Sequence, residues 1–410
     1  MTERLKKILF IFLFVVIVIG IGYLLYRIFF RPTVTLVPPP PSPGISGQLP
    51  AAGEGAISAG GAPTGQTGLP GAPGVTQPTV SRPEAPTPTS RTSVLYSGVA
   101  RAISISPSGG LRSFHPEDGK FYRTADNGQA TPLSDKTFYD VDQVRWAKKS
   151  DQAILTYPDG SKILYDFTQN KQVTLPKHWE DFDFAPQDDR IVAKSIGNNE
   201  SNRFLVIANP DGTGAKVIEE LGDNQDKVHA SWSPNNQIVA YSFTGDPIGY
   251  DRQAIVLVGQ HQENFKNLIV EGRGFVPNWA PSGNNILYSV YHSNNGYRPS
   301  LWLSGAVGDN INANRTNLDI QTWADKCAWK DESTLICAVP RFLAEGAGLQ
   351  REIANSVPDD IYKIDLSTGQ KINLGAPDGN PTVGEIQTGP DVNGVYLKDQ
   401  NNGKLIRFAL

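Results

Sequence analysis

Histidine and cysteine are scarce in this chain of 410 residues, five of the one and two of the other. His115, His178, His229, His261 and His292 are too scattered for any local metal motif, so each reads first as a surface or hydrogen-bonded residue. No metal site and no cofactor is expected. There is no G-x-S-x-G elbow, P-loop, H-E-x-x-H or paired C-x-x-C, which removes the local signatures of several hydrolases, NTPases and zinc proteins. Helical periodicity is nearly absent after residue 90, which argues against a helical repeat array. A basic stripe is missing too. Residues 1–91 carry seven Lys/Arg and three Asp/Glu; with the whole chain at −4, the region 92–410 stands at −8. Such a region is a poor partner for nucleic acid or anionic lipid.

What is present is repetition. SWSPNNQIVAYS (231–242) is matched position for position by NWAPSGNNILYS (278–289). DFAPQDDRIVAK (183–194), RWAKKSDQAILT (145–156), SISPSGGLRSFH (104–115), AWKDESTLICAV (328–339) and QTGPDVNGVYLK (387–398) keep parts of the pattern. The seven copies begin 38 to 59 residues apart, a spacing typical of solenoids, arrays and propellers. Each copy precedes a second strand–turn–strand unit, as in KILYDFTQNKQVTL (162–175) and DIYKIDLSTGQKINL (360–374). Four short strands per repeat, separated by Gly, Asn, Asp and Pro turns, predict an all-β seven-bladed propeller of four-stranded antiparallel blades. The last repeat supplies only three strands before Leu410, so Thr92–Tyr96 is predicted to close the ring as its fourth.

The run W-S-P-x-x-x-x-(I/V)-A-(Y/F)-S resembles the WD40-like repeat of the Tol-system periplasmic propellers, the TolB type. Trp232, Ser233, Pro234, Val239, Ala240, Tyr241 and Ser242 carry it most fully, followed by Trp279, Pro281, Tyr288 and Ser289. The resemblance covers roughly residues 92–410 and implies architecture, with seven repeats here against six blades in that family. In it, Trp232 and its counterparts are packing residues between neighbouring blades.

The beginning of the chain differs in kind. Ile8 to Tyr26 are nineteen uncharged, mostly apolar residues, long enough to span a hydrocarbon core. No small-x-small cleavage site follows before Arg31. The expected order is a short cytoplasmic N-terminus over 1–7, a single-pass transmembrane helix over 8–30, a Pro/Gly-rich disordered linker over 31–91, and the propeller over 92–410, outside the cytoplasm. Between Pro32 and Ser81 the only charged residue is Glu54, and the composition offers little to pack.

Cys327 and Cys337 flank the predicted turn of the sixth repeat and should face each other across its strands, either as a disulfide or as two buried thiols. The predicted loops between second and third strands are long in four repeats, at 196–203, 243–253, 291–300 and 340–360, and propeller geometry gathers them on one face. They hold three aromatic–arginine couples, Tyr250 with Arg252, Tyr297 with Arg298, and Arg341 with Phe342. These residue types are enriched at interface hot spots. Three places before the Trp position stand Gln143, Asp181, His229, Lys326 and Glu385, a polar ring expected near the channel mouth, either as a site or as plain solvation. Together these features point to a binding scaffold for a protein or cell-envelope component, such as an accessory part of an envelope or secretion assembly. The alternative is a propeller lyase or glycan hydrolase with its site at the channel mouth. If the apolar run anchors the chain with its N-terminus inside, protease added to intact spheroplasts releases a propeller-sized fragment; full protection would overturn that topology.

Overall fold

Among the described residues, runs of two to seven residues rich in Val, Ile, Leu, Phe and Tyr, broken by Asp-Gly, Asn-Gly and Pro turns, form 28 short strands. The computed structural model describes residues 18–20 and 91–410, and every strand falls in the unit Pro83–Leu410. Residues 18–20 are helical and exposed. Among the described residues no helix is long and apolar enough to cross a membrane. The span expected over 8–30 and the linker over 31–91 lie outside them, apart from 18–20 and Arg91.

The strands make seven four-stranded sheets, paired antiparallel throughout. Blade 1 runs from Arg101–Ile105 to Ala130–Pro132, and blade 2 from Gln143–Trp146 to Lys171–Leu175. Blade 3 runs from Trp179–Phe184 to Lys216–Glu220, and blade 4 from Val228–Ala230 to Leu268–Val270. Blade 5 runs from Arg273–Trp279 to Thr316–Asn317, and blade 6 from Cys327–Trp329 to Lys371–Gly375. Blade 7 takes Val383–Gln387, Val395–Asp399 and Leu405–Phe408 from the end of the chain and Thr92–Tyr96 from near its start. In an up-and-down blade, second-to-third loops share a face with the links between blades, and the other two turns lie opposite.

Each junction between blades has its own apolar core. Trp146 packs with Phe114 and Phe121 of blade 1, Trp232 with Ala185, Val192 and Leu205 of blade 3, and Trp329 with Leu287 and Leu301 of blade 5. Trp232 is 1% exposed. The repeated tryptophan is therefore a wedge between sheets. Polar staples cross the same junctions. Asp183 accepts the N–H of Trp232 at 2.7 Å, Trp146 Nε1 donates to the Ala102 carbonyl at 2.6 Å, and Asn278 Nδ2 donates to the Cys327 carbonyl at 2.8 Å. Buried Arg112 lies over the Trp146 ring at 4.5 Å and donates to the Ser150 carbonyl at 2.7 Å.

The face opposite the long loops has two long segments of its own, 260–267 in blade 4 and 306–315 in blade 5. They serve packing: Ala306 and Ile311 join the core of that junction, and Asn312 binds Ile269 N and Asn267 O, each at 2.7 Å.

Closure pairs Thr92 with Phe408, Ser93 with Arg407, Val94 with Ile406 and Tyr96 with Leu405. Leu95 enters the core shared by blades 7 and 1. Tyr96 stacks on His115 of blade 1 at 3.9 Å, and His115 stacks in turn on Tyr122 at 4.5 Å. Burial pushes the His115 imidazole down to about 4, so it packs as a neutral ring. Deleting Thr92–Tyr96 should lower the melting temperature by roughly 10 °C or more, since it strips one sheet edge and opens one junction. Val94→Ala, at an exposed position of the same strand, should leave it nearly unchanged. Equal melting of the deletion and the intact chain would mean that closure contributes nothing.

Candidate functional site: the long-loop face and channel mouth

The long loops of blades 4, 5 and 6 are joined side to side. Ser293 donates to Asp251, Gly346 N donates to the Gly296 carbonyl at 2.9 Å, and Gly348 N to the Tyr297 carbonyl at 2.7 Å. Arg298 Nε donates to the Leu343 carbonyl at 2.8 Å. Tyr297 has φ of 54°, a left-handed backbone that a bulky residue adopts only when its surroundings hold it there. Beneath the blade 6 loop lies a small core of Trp323, Leu343, Ala347 and Ala354, with Val276 packed against it. A loop with its own core holds a fixed shape and can direct other side chains outward.

Outward it presents apolar groups. Phe342 is 66% exposed and Leu349 58%, and Tyr250 on the neighbouring blade 4 loop is 65% exposed. Ile248 and Ile353 are exposed on the same loops. Among the described residues of 91–410, no large apolar side chain is exposed in a turn of the opposite face; the remaining ones lie on outer strands, in links of the long-loop face, or at Leu410.

The predicted couples are rearranged in space. Tyr250 is covered by Arg273, with the guanidinium 4.7 Å from the ring centre, and not by Arg252. Arg252 instead pairs with Glu271 at 3.1 Å, a carboxylate that also binds Arg315 at 2.7 Å. Tyr250 is joined by Tyr297, and that hydrogen bond heads the causes that raise the Tyr297 hydroxyl above its ordinary value. Arg298 is a loop clamp, because its guanidinium is spent on carbonyls of Leu343 and Asn295. Arg341 binds Asp360 and Asn380, each at 2.8 Å, which leaves Phe342 as the open member of its couple. No local pattern marks Arg273 as the partner, because it sits at the start of a channel strand, 23 residues from Tyr250.

The polar ring divides. Gln143, Asp181 and Glu385 line one cavity of about 760 Å³ at the channel, together with Arg101 and Arg145. Asp181 accepts the Ala230 N–H at 3.0 Å and lies 4.0 Å from His229 Nδ1. Glu385 accepts the Ile103 N–H at 3.0 Å and is also bound by Lys398. Both carboxylates therefore staple neighbouring blades. His229 is lowered below its ordinary value chiefly by burial, which outweighs the opposing field of Asp181.

Lys326 is misplaced in the expected ring. It is 3% exposed and binds both carboxylate oxygens of fully buried Asp359, at 2.7 and 2.8 Å. Burial lowers the Lys326 ammonium and raises the Asp359 carboxyl, and each opposes the other's shift through its charge. Asp359 also accepts the Val383 N–H at 2.7 Å, which ties blade 6 to blade 7. No local pattern joins these two residues, since the partner lies 33 residues away beyond a long loop.

Cys327 and Cys337 are directly paired across the first two strands of blade 6, with Cα atoms 4.0 Å apart, and are bonded as a disulfide. Among the described residues no group of three or more His, Cys, Asp or Glu is placed to hold a metal ion.

No protein-family model matches the chain, and no curated protein matches it. Solved structures do. The β-propeller domain of Cps50 (Swd1) from Myceliophteria thermophila is similar at a TM-score of 0.51 and 11% identity, over 78% of this chain and 99% of its own. An oligogalacturonate lyase in complex with manganese is similar at 0.50 and 12%, over 77% and 98%. TolB from Acinetobacter baumannii is similar at 0.43 and 12%, over 68% and 64%. At such identities the likeness establishes the propeller fold alone.

Lys326→Met should lower stability by about 3–5 kcal/mol, because it strands the Asp359 carboxylate inside the junction. Lys326→Met with Asp359→Leu should recover part of the loss, the remainder being the Val383 hydrogen bond. Urea unfolding measures both, and an unchanged midpoint in the single variant would remove the pair from the forces holding blade 6 to blade 7.

Proposed function

We propose that this chain is a membrane-anchored, extracytoplasmic docking scaffold whose long-loop face receives a protein or cell-envelope component, as an accessory part of a bacterial envelope or secretion assembly would. One observation carries the docking part: laterally bonded loops on a single face expose Tyr250, Phe342, Leu349 and Ile353, and the opposite turns expose no comparable side chain. Apolar residues gathered on a rigid rim are what a protein partner buries. The anchor rests on the apolar run Ile8–Tyr26, and the compartment on a cystine that persists where thiols are oxidised. A lyase or glycan hydrolase is less well supported, because the ring carboxylates Asp181 and Glu385 are committed to backbone N–H groups of the adjoining blades.

Tyr250→Ala or Phe342→Ala should weaken partner binding by ~2 kcal/mol, roughly thirtyfold, with the melting temperature held. A photo-crosslinking residue at position 250 or 342 should trap the partner, and one at Asp211, in an opposite-face turn, should not. Crosslinking from 211 alone would place the docking face on the other side.

A further inference from the structure

The third strand of blade 4, Gln253–Gly259, is seven residues long, and the outer strand beside it, Leu268–Val270, is three. Their pairing runs through Gln253–Val270, Ala254–Ile269 and Ile255–Leu268 and stops there. Ile269 turns its N–H away, to Asn312, so Leu268 and Val270 are the residues that bond Ile255 and Gln253. Alternation makes Leu257 and Gly259 the next to face that edge. Among the described residues, neither has a hydrogen bond there. Leu257 is 3% exposed, and an N–H and a carbonyl on so buried a residue call for a partner. Blade 5 shows the contrast. Its outer strand, Thr316–Asn317, is shorter still, but Asn312 and Ala313 bond Gly305 at one end of the third strand. Leu318 and Ile320 bond Leu301 at the other. Blade 4 alone of the two keeps an open sheet edge, over Val256–Gly259.

That edge borders a groove of about 340 Å³ between blades 3 and 4. Gly259 has only main chain to offer it, and the Leu257 side chain is buried in the junction with blade 5. Glu219, Glu220 and Glu263 also line the groove, and no lysine or arginine does. Glu219 and Glu220, on the outer strand of blade 3, are exposed and without an ion pair or side-chain hydrogen bond among the described residues. Glu263 accepts the His261 N–H at 2.8 Å through one oxygen. In the link beside the groove, Lys227 is bound to Asn224 at 3.0 Å, Asp226 is its neighbour in sequence, and Asp223 is paired with Arg203 at 3.8 Å. Carboxylates outnumber cations with these included, and still do with Lys216 at the far end of the blade 3 outer strand.

Unpaired main-chain groups on a strand edge recognise another extended chain, whose alternate side chains meet the walls around it. Walls that carry carboxylates and no cation select lysine or arginine at those places. We propose that the groove between blades 3 and 4 takes an extended, basic peptide segment of a partner protein. The segment adds as a strand along Leu257 and Gly259 and sets its cations against Glu219, Glu220 and Glu263. Tyr250, Phe342, Leu349 and Ile353 do not line the groove, so this surface goes beyond the rim docking face and does not depend on it.

The test uses the full-length chain in detergent and fluorescein-labelled Lys-Thr-Lys-Thr-Lys-Thr, followed by fluorescence anisotropy. The intact protein binds the probe, more weakly as salt is raised, and amide hydrogen exchange slows at Leu257 and Gly259. Glu219→Gln combined with Glu220→Gln weakens binding about fivefold, as loss of two exposed charge pairs does, with the melting curve unchanged. A fully N-methylated peptide of the same sequence cannot complete the ladder and binds about tenfold more weakly. Absence of binding by the intact protein overturns the proposal, as does unchanged binding by the double variant. Equal binding of the methylated peptide, or of Glu-Thr-Glu-Thr-Glu-Thr, overturns it as well. So does binding that leaves exchange at Leu257 and Gly259 unaltered. A dimer in sedimentation that protects those two amides without peptide also defeats it, by making a second copy the occupant. Tyr250→Ala and Phe342→Ala keep full peptide binding; a loss of partner capture in them bears on rim docking alone.

Discussion

A four-stranded sheet with two apolar faces is not stable alone, and everything in this domain follows from hiding both faces at once. Each blade covers one face of the next, and the seven apolar junctions form a closed series with no free end. Tryptophans 146, 232, 279 and 329 serve this need, because a large flat side chain at the end of the first strand fills the wedge between sheets. The wedge also excludes water from backbone groups at the seam, which must then find partners across it. Asp181, Asp183, Glu385 and Asp359 meet that demand, each accepting an N–H from the next blade.

The constraint explains why carboxylates at the channel mouth are tied to backbone N–H groups of the adjoining blades. Asp181 and Glu385 are consumed in holding blades together. Arg101 and Arg145 take no part in the seams and stay open to solvent. On the rim the division differs. There the arginines are mostly structural, clamping loops or neutralising Glu271 and Asp360, and the aromatic and aliphatic side chains are left outward.

Architecture was legible in the sequence because it rests on local, repeated chemistry. A turn of Pro234-Asn235-Asn236 and the apolar run Ile238–Ser242 recur with enough fidelity to count blades, and the shortfall of one strand in the last repeat pointed to Thr92–Tyr96. The site was legible only in outline. The long-loop face was found, since strand order alone decides which loops gather. The partners of individual side chains were not, because they come from neighbouring blades some 20 to 50 residues away. Backbone irregularity adds to this. Ala102 and Asp181 have φ of 51° and 52° at breaks in register on their channel strands, and a break of this kind re-aims the side chains around it. Lys326 belongs to a short 3₁₀ turn, Ala324–Lys326, that carries it into the junction and away from the channel.

The closing strand also sets an order of events during biosynthesis. Thr92–Tyr96 leaves the ribosome before any blade exists, yet its partner Leu405–Phe408 is made only after all six intervening blades. At ordinary elongation rates of about 5–20 residues per second, that wait lasts roughly 15 to 60 s. Six blades can form meanwhile, each on the one before, leaving blade 1 and blade 6 as exposed ends of an open arc. Throughout that interval the nascent chain carries an unpaired strand with a ready hydrogen-bonding edge, the kind of segment that pairs with the wrong neighbour. Leu405 to Phe408 thus act as the latch that ends the chain's most vulnerable stage, and a chain without them would form a ring that never shuts.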